Sequence, residues 1–118
     1  MNAQTKEMID LPSEWDISTK ISFLQRRVIV YSIQYYEFNA TVISDAQYDA
    51  IARQLESLMR SATPEELERS TYWYCMYNFT AATGFDIYSR LDPKDKEYLE
   101  HIADIVLDDY RHMMGLKG

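Results

Sequence analysis

Residues 17–38 read ISTKISFLQRRVIVYSIQYYEF, and this stretch decides the fold of the chain. Its apolar residues recur at alternating steps of four and three, which is the spacing of one face of an α-helix about six turns long. This face consists of Ile17, Ile21, Leu24, Val28, Tyr31, Tyr35 and Phe38. The pattern predicts a helix that buries this face, and Ser13 or Asp16 is suited to cap its beginning.

A second helix is predicted directly after the first. Residues 39–41, Asn-Ala-Thr, break the apolar period, and Ser44 or Asp45 can cap the helix that follows. The inner face of this helix consists of Tyr48, Ile51, Ala52, Leu55 and Leu58 or Met59. Because the connection is only a few residues long, residues 16–60 are expected to form an antiparallel helical hairpin.

A third helix is predicted over residues 64–82, ending at Gly84. Its beginning at Thr63-Pro64-Glu65-Glu66 combines a capping threonine, a proline at the first helical position and a glutamate that completes a capping box. Residues 72–79 are apolar or aromatic at nearly every position, which predicts that this helix is enclosed on more than one side. Residues 85–90 are expected to add a short turn.

Asp92-Pro93 begins a last helix over residues 93–113, and Gly115 is suited to end it. Its predicted inner face consists of Leu99, Ile102, Ala103, Val106, Tyr110 and Met113, and its acidic outer face of Asp95, Glu100, Asp104, Asp108 and Asp109. The fold class is therefore all-α, a compact bundle of about four helices built on the hairpin. Residues 1–13 are expected to form a flexible or loosely packed arm, and residues 14–118 a single domain.

Composition narrows the classes of function. The net charge of −7 disfavours direct binding of nucleic acid, because phosphate would be repelled by most of the surface. No apolar run approaches the roughly 20 residues of a membrane helix. Cys75, the single cysteine, is predicted to be a buried structural thiol, and most of the ten tyrosine rings to fill the core. A cytoplasmic protein is expected.

The sequence shows no constellation of catalytic residues. His101 and His112 are eleven residues apart, which on one helix is about 16 Å and too far to ligate one metal ion. Neither a Gly-rich phosphate loop nor a nucleophile elbow is present. The chain is therefore predicted not to be an enzyme, to hold no metal and to require no cofactor.

Residues 31–49 carry a different kind of chemistry. Tyr31 and Tyr35 lie one turn apart at the end of the first helix, and Asp45, Tyr48 and Asp49 share one face of the first turn of the second. Aromatic faces suit a flat heterocycle, with an added cation–π attraction if the ring is positively charged. Carboxylates accept hydrogen bonds from sugar hydroxyls or an amide. Two rings and two carboxylates are expected to converge at the open end of the hairpin.

This segment resembles the N-terminal domain of bacterial NAD-dependent DNA ligases, whose hairpin has a tyrosine pair, a short loop and then Ile-Ser-Asp-Ala-x-Tyr-Asp. In that family the domain recognises the nicotinamide mononucleotide half of NAD. The resemblance implies a ligand pocket formed by Tyr35, Tyr36, Asp45, Tyr48 and Asp49. The family usually has a proline where this chain has Thr41.

The departures from the ligase family are as informative as the resemblance. The Lys-x-Asp-Gly motif of the adenylation domain is absent from this sequence, as are the zinc-finger cysteines. Residues 61–118 show no resemblance to any part of a ligase. The resemblance thus implies a ligase-related protein without ligase activity, of a kind typical of phages and prophages.

Three hypotheses of function follow. In the first, the chain is a non-catalytic phage-type interaction protein or inhibitor that engages a host protein, such as a nucleic-acid enzyme or a CRISPR nuclease. Its acidic surface at Glu100, Asp104, Asp108 and Asp109 would then contact the partner. In the second, it binds NAD or nicotinamide mononucleotide through the hairpin. In the third, it is a structural protein that forms homo-oligomers through aromatic residues near 72–77.

Overall fold

A computed structural model describes residues 9–40, 42–81 and 86–115. These ranges contain six helices and no β-strand, which confirms the all-α fold class. The helices are α1 (Ile17–Tyr36), α2 (Asp45–Ser61), α3 (Pro64–Glu68), α4 (Trp73–Met76), α5 (Ile87–Arg90) and α6 (Pro93–Met113). None of these helices combines the length and the apolar character that crossing a lipid bilayer requires.

Helix α1 lies at the centre of the molecule. It packs against α2 and α6 most extensively, and also against α3 and α5. Residues 28–34 are all buried, and Ile29, Val30 and Ile33 are as inaccessible as Val28 and Tyr31 of the predicted face. The sequence pattern indicated a single buried face because Gln25, Ser32 and Gln34 interrupt the apolar positions on the other side.

The two ends of α1 are defined by local hydrogen bonds. Asp16 is the cap, since its carboxylate accepts from the Thr19 N–H. After Tyr36 the chain leaves the helix through Asn39, whose φ of +53° is in the left-handed region that asparagine tolerates. The Ala40 N–H then donates to the Gln34 carbonyl at 2.8 Å. Phe38 therefore lies beyond the helix rather than in its last turn.

The predicted helix over residues 64–82 is broken, because α3 ends at Glu68 and α4 begins only at Trp73. Side chains of α1 bind the backbone groups that would have continued it. The Thr71 N–H donates to Ser22 Oγ, and the Tyr72 N–H donates to Gln25 Oε1. The predicted end at Gly84 lies outside the described residues.

Residues 72–79 are buried on one side only, which corrects the expectation of a helix enclosed on more than one side. Tyr72, Cys75, Met76 and Phe79 face the core, whereas Tyr74 and Tyr77 are exposed. Across the chain, the exposed tyrosines are Tyr35, Tyr36, Tyr74, Tyr77 and Tyr98. The prediction that most of the ten rings fill the core is therefore wrong, because five are exposed and only Tyr31 and Tyr72 are buried.

Helix α6 occupies the predicted residues and begins with Asp92 as its cap. Leu99, Ala103 and Leu107 form its buried face, so Leu107 replaces the predicted Met113, which is 83% exposed. Met113 projects beyond the core because it lies in the last turn, where α6 has no neighbour to cover it among the described residues. Gly115 follows the helix with a φ of +68°, as expected of a helix terminator.

Residues 9–13 are the described part of the predicted N-terminal arm. The Ile9 N–H donates to Gln54 Oε1, and Gln54 Nε2 donates back to the Ile9 carbonyl. Leu11 packs against the core cluster as well. This part of the chain is thus attached to α2, and residues 1–8 lie outside the described residues.

The Cys75 thiol is predicted to react slowly with alkylating reagents. It is fully buried, and this burial raises its pKa to about 11. Because the thiolate is the reactive form, alkylation by iodoacetamide at pH 8 is expected to be about 100-fold slower in the folded protein than in urea. Mass spectrometry of time points would measure both rates, and equal rates would contradict the buried placement.

Candidate functional site

A pocket of about 330 Å³ opens between the C-terminal end of α1 and the N-terminal end of α2. Helices α1 and α2 are in contact here, since a hydrogen bond of 3.0 Å joins the hydroxyls of Ser32 and Tyr48. The pocket is lined by Tyr31, Ser32, Tyr35, Tyr36, Ile43, Ser44, Asp45, Tyr48 and Asp49. All five residues that the sequence singled out for ligand binding therefore lie around one cavity. Thr41 of the connecting loop is outside the described residues.

The tyrosine pair stands at the mouth of the pocket. Tyr35 is 53% exposed and Tyr36 51% exposed, and their rings meet edge to face with centroids 4.8 Å apart. Tyr35 was expected on the buried face of α1, but on that face the last buried residue is Tyr31, one turn earlier. The helix thus leaves two aromatic surfaces available to a flat ligand at little cost in packing.

The inner wall of the pocket is formed by Tyr31, Ser32 and Tyr48. The Tyr31 ring is buried, and its hydroxyl accepts a hydrogen bond of 2.8 Å from Arg27. Burial raises the pKa of Tyr48, although the hydrogen bond to Ser32 opposes this. Tyr48 therefore keeps its proton at neutral pH and presents a neutral hydroxyl to the cavity.

Sequence reasoning did not place Ser32, Ile43 or Ser44 in the lining of the pocket, and Ser32 is the one of these that lies on α1. It lies three residues before Tyr35 and four before Tyr36, so it shares their side of α1. A search for polar residues at these spacings from the tyrosine pair would have found it.

The two carboxylates of the pocket have different surroundings. Ser44 caps α2 and exchanges hydrogen bonds with Gln47 in a capping box, so Asp45 is not needed as the cap. Asp45 is exposed, and its carboxylate has no partner among the described residues. Asp49 pairs with Arg53 Nε at 2.8 Å. The Asp45 carboxylate is therefore available to a ligand, whereas the Asp49 carboxylate is paired with Arg53.

The acidic residues of α6 lie away from this pocket. Asp104, Asp108 and Asp109 are exposed, as expected of an outer face. Glu100 is half-buried and accepts a hydrogen bond of 3.0 Å from the Tyr88 hydroxyl. Glu100 thus connects α5 to α6. It is less accessible to a partner than the three exposed aspartates, although the sequence predicted all four on the outer face.

The pocket lies in a part of the chain that matches a known family. Residues 14–71 match the model of the family described as DNA ligase-like, N-terminal NAD+-binding domain. No curated protein and no solved structure matches the chain. The match extends past the hairpin through α3, so the expectation of no ligase counterpart after residue 60 is wrong for residues 61–71. Residues 14–71, just under half of the chain, are therefore similar to the DNA ligase-like N-terminal domains.

Proposed function

We propose that this chain is a binding module for the nicotinamide nucleotide half of NAD, with the ligand in the pocket between α1 and α2. The observation that supports this most is the convergence of Tyr35, Tyr36 and Asp45 on one cavity within the segment that matches the family. The cavity volume of about 330 Å³ falls in the range typical of small-molecule sites.

The chemistry of the pocket suits a pyridinium riboside. The nicotinamide ring of the oxidised nucleotide is flat and positively charged, so it gains both stacking and a cation–π attraction against an exposed tyrosine. Asp45 and Asp49 are the charged groups that line the cavity within the described residues, and their negative charge favours a cation. Their oxygens can also accept hydrogen bonds from the carboxamide or the ribose.

Calorimetric titration with nicotinamide mononucleotide and with nicotinic acid mononucleotide tests this proposal. Nicotinic acid mononucleotide has a carboxylate in place of the amide, and the two aspartates repel it. The affinity for this ligand is therefore expected to be lower by about tenfold or more. Weak binding is expected overall, because a ligase contacts NAD with two domains. Absence of heat at millimolar nicotinamide mononucleotide, with the protein folded, would end the proposal.

Asp45→Asn is expected to weaken binding of nicotinamide mononucleotide about 10- to 100-fold, because it removes the charged acceptor without changing the shape of the side chain. The measurement is the same titration. Asp104→Asn, an exposed aspartate of α6, is the matched control and should bind as the unmodified protein does. Equal losses in both variants would show that net charge, and not the pocket, controls affinity.

A second hypothesis is that the exposed Asp104, Asp108 and Asp109 engage a basic surface of another protein. The observation that favours it is the exposure of all three on α6, where His112 lies 3.6 Å from Asp108. Replacing the three aspartates with asparagine should then abolish capture of the partner in a pull-down. Unchanged capture by this variant would contradict the hypothesis.

A further inference from the structure

A second cavity shares one lining residue, Asp49, with the first. It has a volume of about 250 Å³ and is lined by Asp49, Arg53, Glu56, Thr80 and Ala81. Asp49 lines both cavities and therefore stands at the boundary between them. A ligand that extends out of the tyrosine pocket past Asp49 would reach this second cavity.

The side-chain charges along α2 change from negative to positive in the direction from the first cavity to the second. Asp45, Asp49 and Arg53 follow each other at intervals of four residues, so they lie on one side of the helix over two turns. The Asp49 and Arg53 side chains are 52% and 69% exposed. Exposed pairs of this kind contribute little to stability, so Arg53 can turn from Asp49 to another anion at small cost.

A nicotinamide mononucleotide carries its charges in a matching order. Its ring is cationic, its ribose is neutral, and its 5′-phosphate is a dianion. The two aspartates that attract the ring repel the phosphate. Moving into the second cavity takes the phosphate away from Asp45, and Arg53 offsets the charge of Asp49, which lines both cavities. Among the described residues that line the two cavities, Arg53 is the cation that can receive the phosphate, and Glu56 beside it opposes any anion that Arg53 does not neutralise.

We propose that the second cavity is a phosphate subsite in which Arg53 binds the 5′-phosphate of the nucleotide. This inference rests on the proposed function, and it adds a reason for the site to prefer the nucleotide over the nucleoside. The guanidinium presents several N–H donors in a fixed fork, which suits phosphate oxygens better than a point charge does.

The test compares nicotinamide mononucleotide with nicotinamide riboside, which lacks only the phosphate. The unmodified protein is expected to bind the nucleotide about tenfold more tightly or better. In Arg53→Gln the nucleotide affinity should fall until this preference is about one. The riboside affinity should stay the same or rise, because Asp49 loses its partner. Arg60→Gln removes an exposed arginine from the last turn of α2 and is the matched control, which should keep the preference. Far-ultraviolet circular dichroism would verify that each variant is folded.

The outcomes separate this inference from the proposed function. A nucleotide preference that persists in Arg53→Gln would overturn the subsite, as would riboside and nucleotide binding equally to the unmodified protein. In both cases the binding of the nicotinamide riboside unit, and hence the proposed function, would stand. Failure of both ligands to bind would overturn the two together. Arg53→Lys should recover only part of the preference, because the ammonium keeps the charge but loses the fork.

Discussion

Replacing Gln25 with leucine is expected to lower the free energy of unfolding by about 2–3 kcal/mol. The Gln25 side chain is fully buried and bridges α1 to the segment between α3 and α4. Its Oε1 accepts from the Tyr72 N–H at 3.0 Å, and its Nε2 donates to Ser70 Oγ at 3.1 Å. Leucine would leave a buried N–H without an acceptor, which costs more than the gain from apolar burial. Urea denaturation monitored by tryptophan fluorescence would measure the change.

Gln34→Leu is the matched control for that prediction. Gln34 is also fully buried on α1, and its Nε2 donates to the Ala103 carbonyl, but its Oε1 has no partner among the described residues. Leucine therefore removes an unsatisfied oxygen together with one hydrogen bond, and the change is expected to stay within about 1 kcal/mol. Equal losses in the two variants would show that volume, and not hydrogen bonding, determines the cost.

Replacing Tyr35 and Tyr36 together with alanine is expected to weaken binding of nicotinamide mononucleotide roughly 10- to 100-fold. The loss arises because both rings line the pocket and neither is engaged in the core, so the ligand loses its stacking and cation–π contacts. Since the rings are about half exposed, the free energy of unfolding should change by less than about 1 kcal/mol. Calorimetric titration and urea denaturation on the same samples would measure the two quantities.

Tyr77→Ala supplies the comparison for the double variant. Tyr77 is 56% exposed and does not line the pocket, so its removal should leave nucleotide affinity unchanged. If the tyrosine pair can be removed without loss of affinity, stacking on these rings is not how the ligand is bound. If the double variant unfolds, the rings support the hairpin more than their exposure suggests, and single variants would be needed.

The hairpin was predictable because its signals are local. The caps Asp16 and Ser44, the apolar period and its break at residues 39–41 each depend on residues a few positions apart. The same locality explains the pocket, since Asp45, Tyr48 and Asp49 share a helix face whatever surrounds them. The pairing of Asp49 with Arg53 was missed even though its spacing of four residues is a local signal.

The break between α3 and α4 was not predictable in this way. It depends on Ser22 and Gln25, which lie more than 40 residues earlier in the chain and bind the backbone of Thr71 and Tyr72. A strong capping box at Thr63 indicated where a helix begins, but nothing near it in sequence indicated that the helix would be so short.

The sequence by itself determined the helical class and the hairpin, because helix periods, caps and short loops act over a few residues. The group of five residues at the open end of the hairpin was implied by the resemblance to the ligase domains. Only the tertiary structure decided that α1 is the central helix and that Tyr31 is the last buried residue on its predicted inner face. It also decided that the rings of Tyr35 and Tyr36 remain exposed beside a second cavity at Arg53. These features depend on which helices cover which faces, and that depends on contacts between residues far apart in the chain.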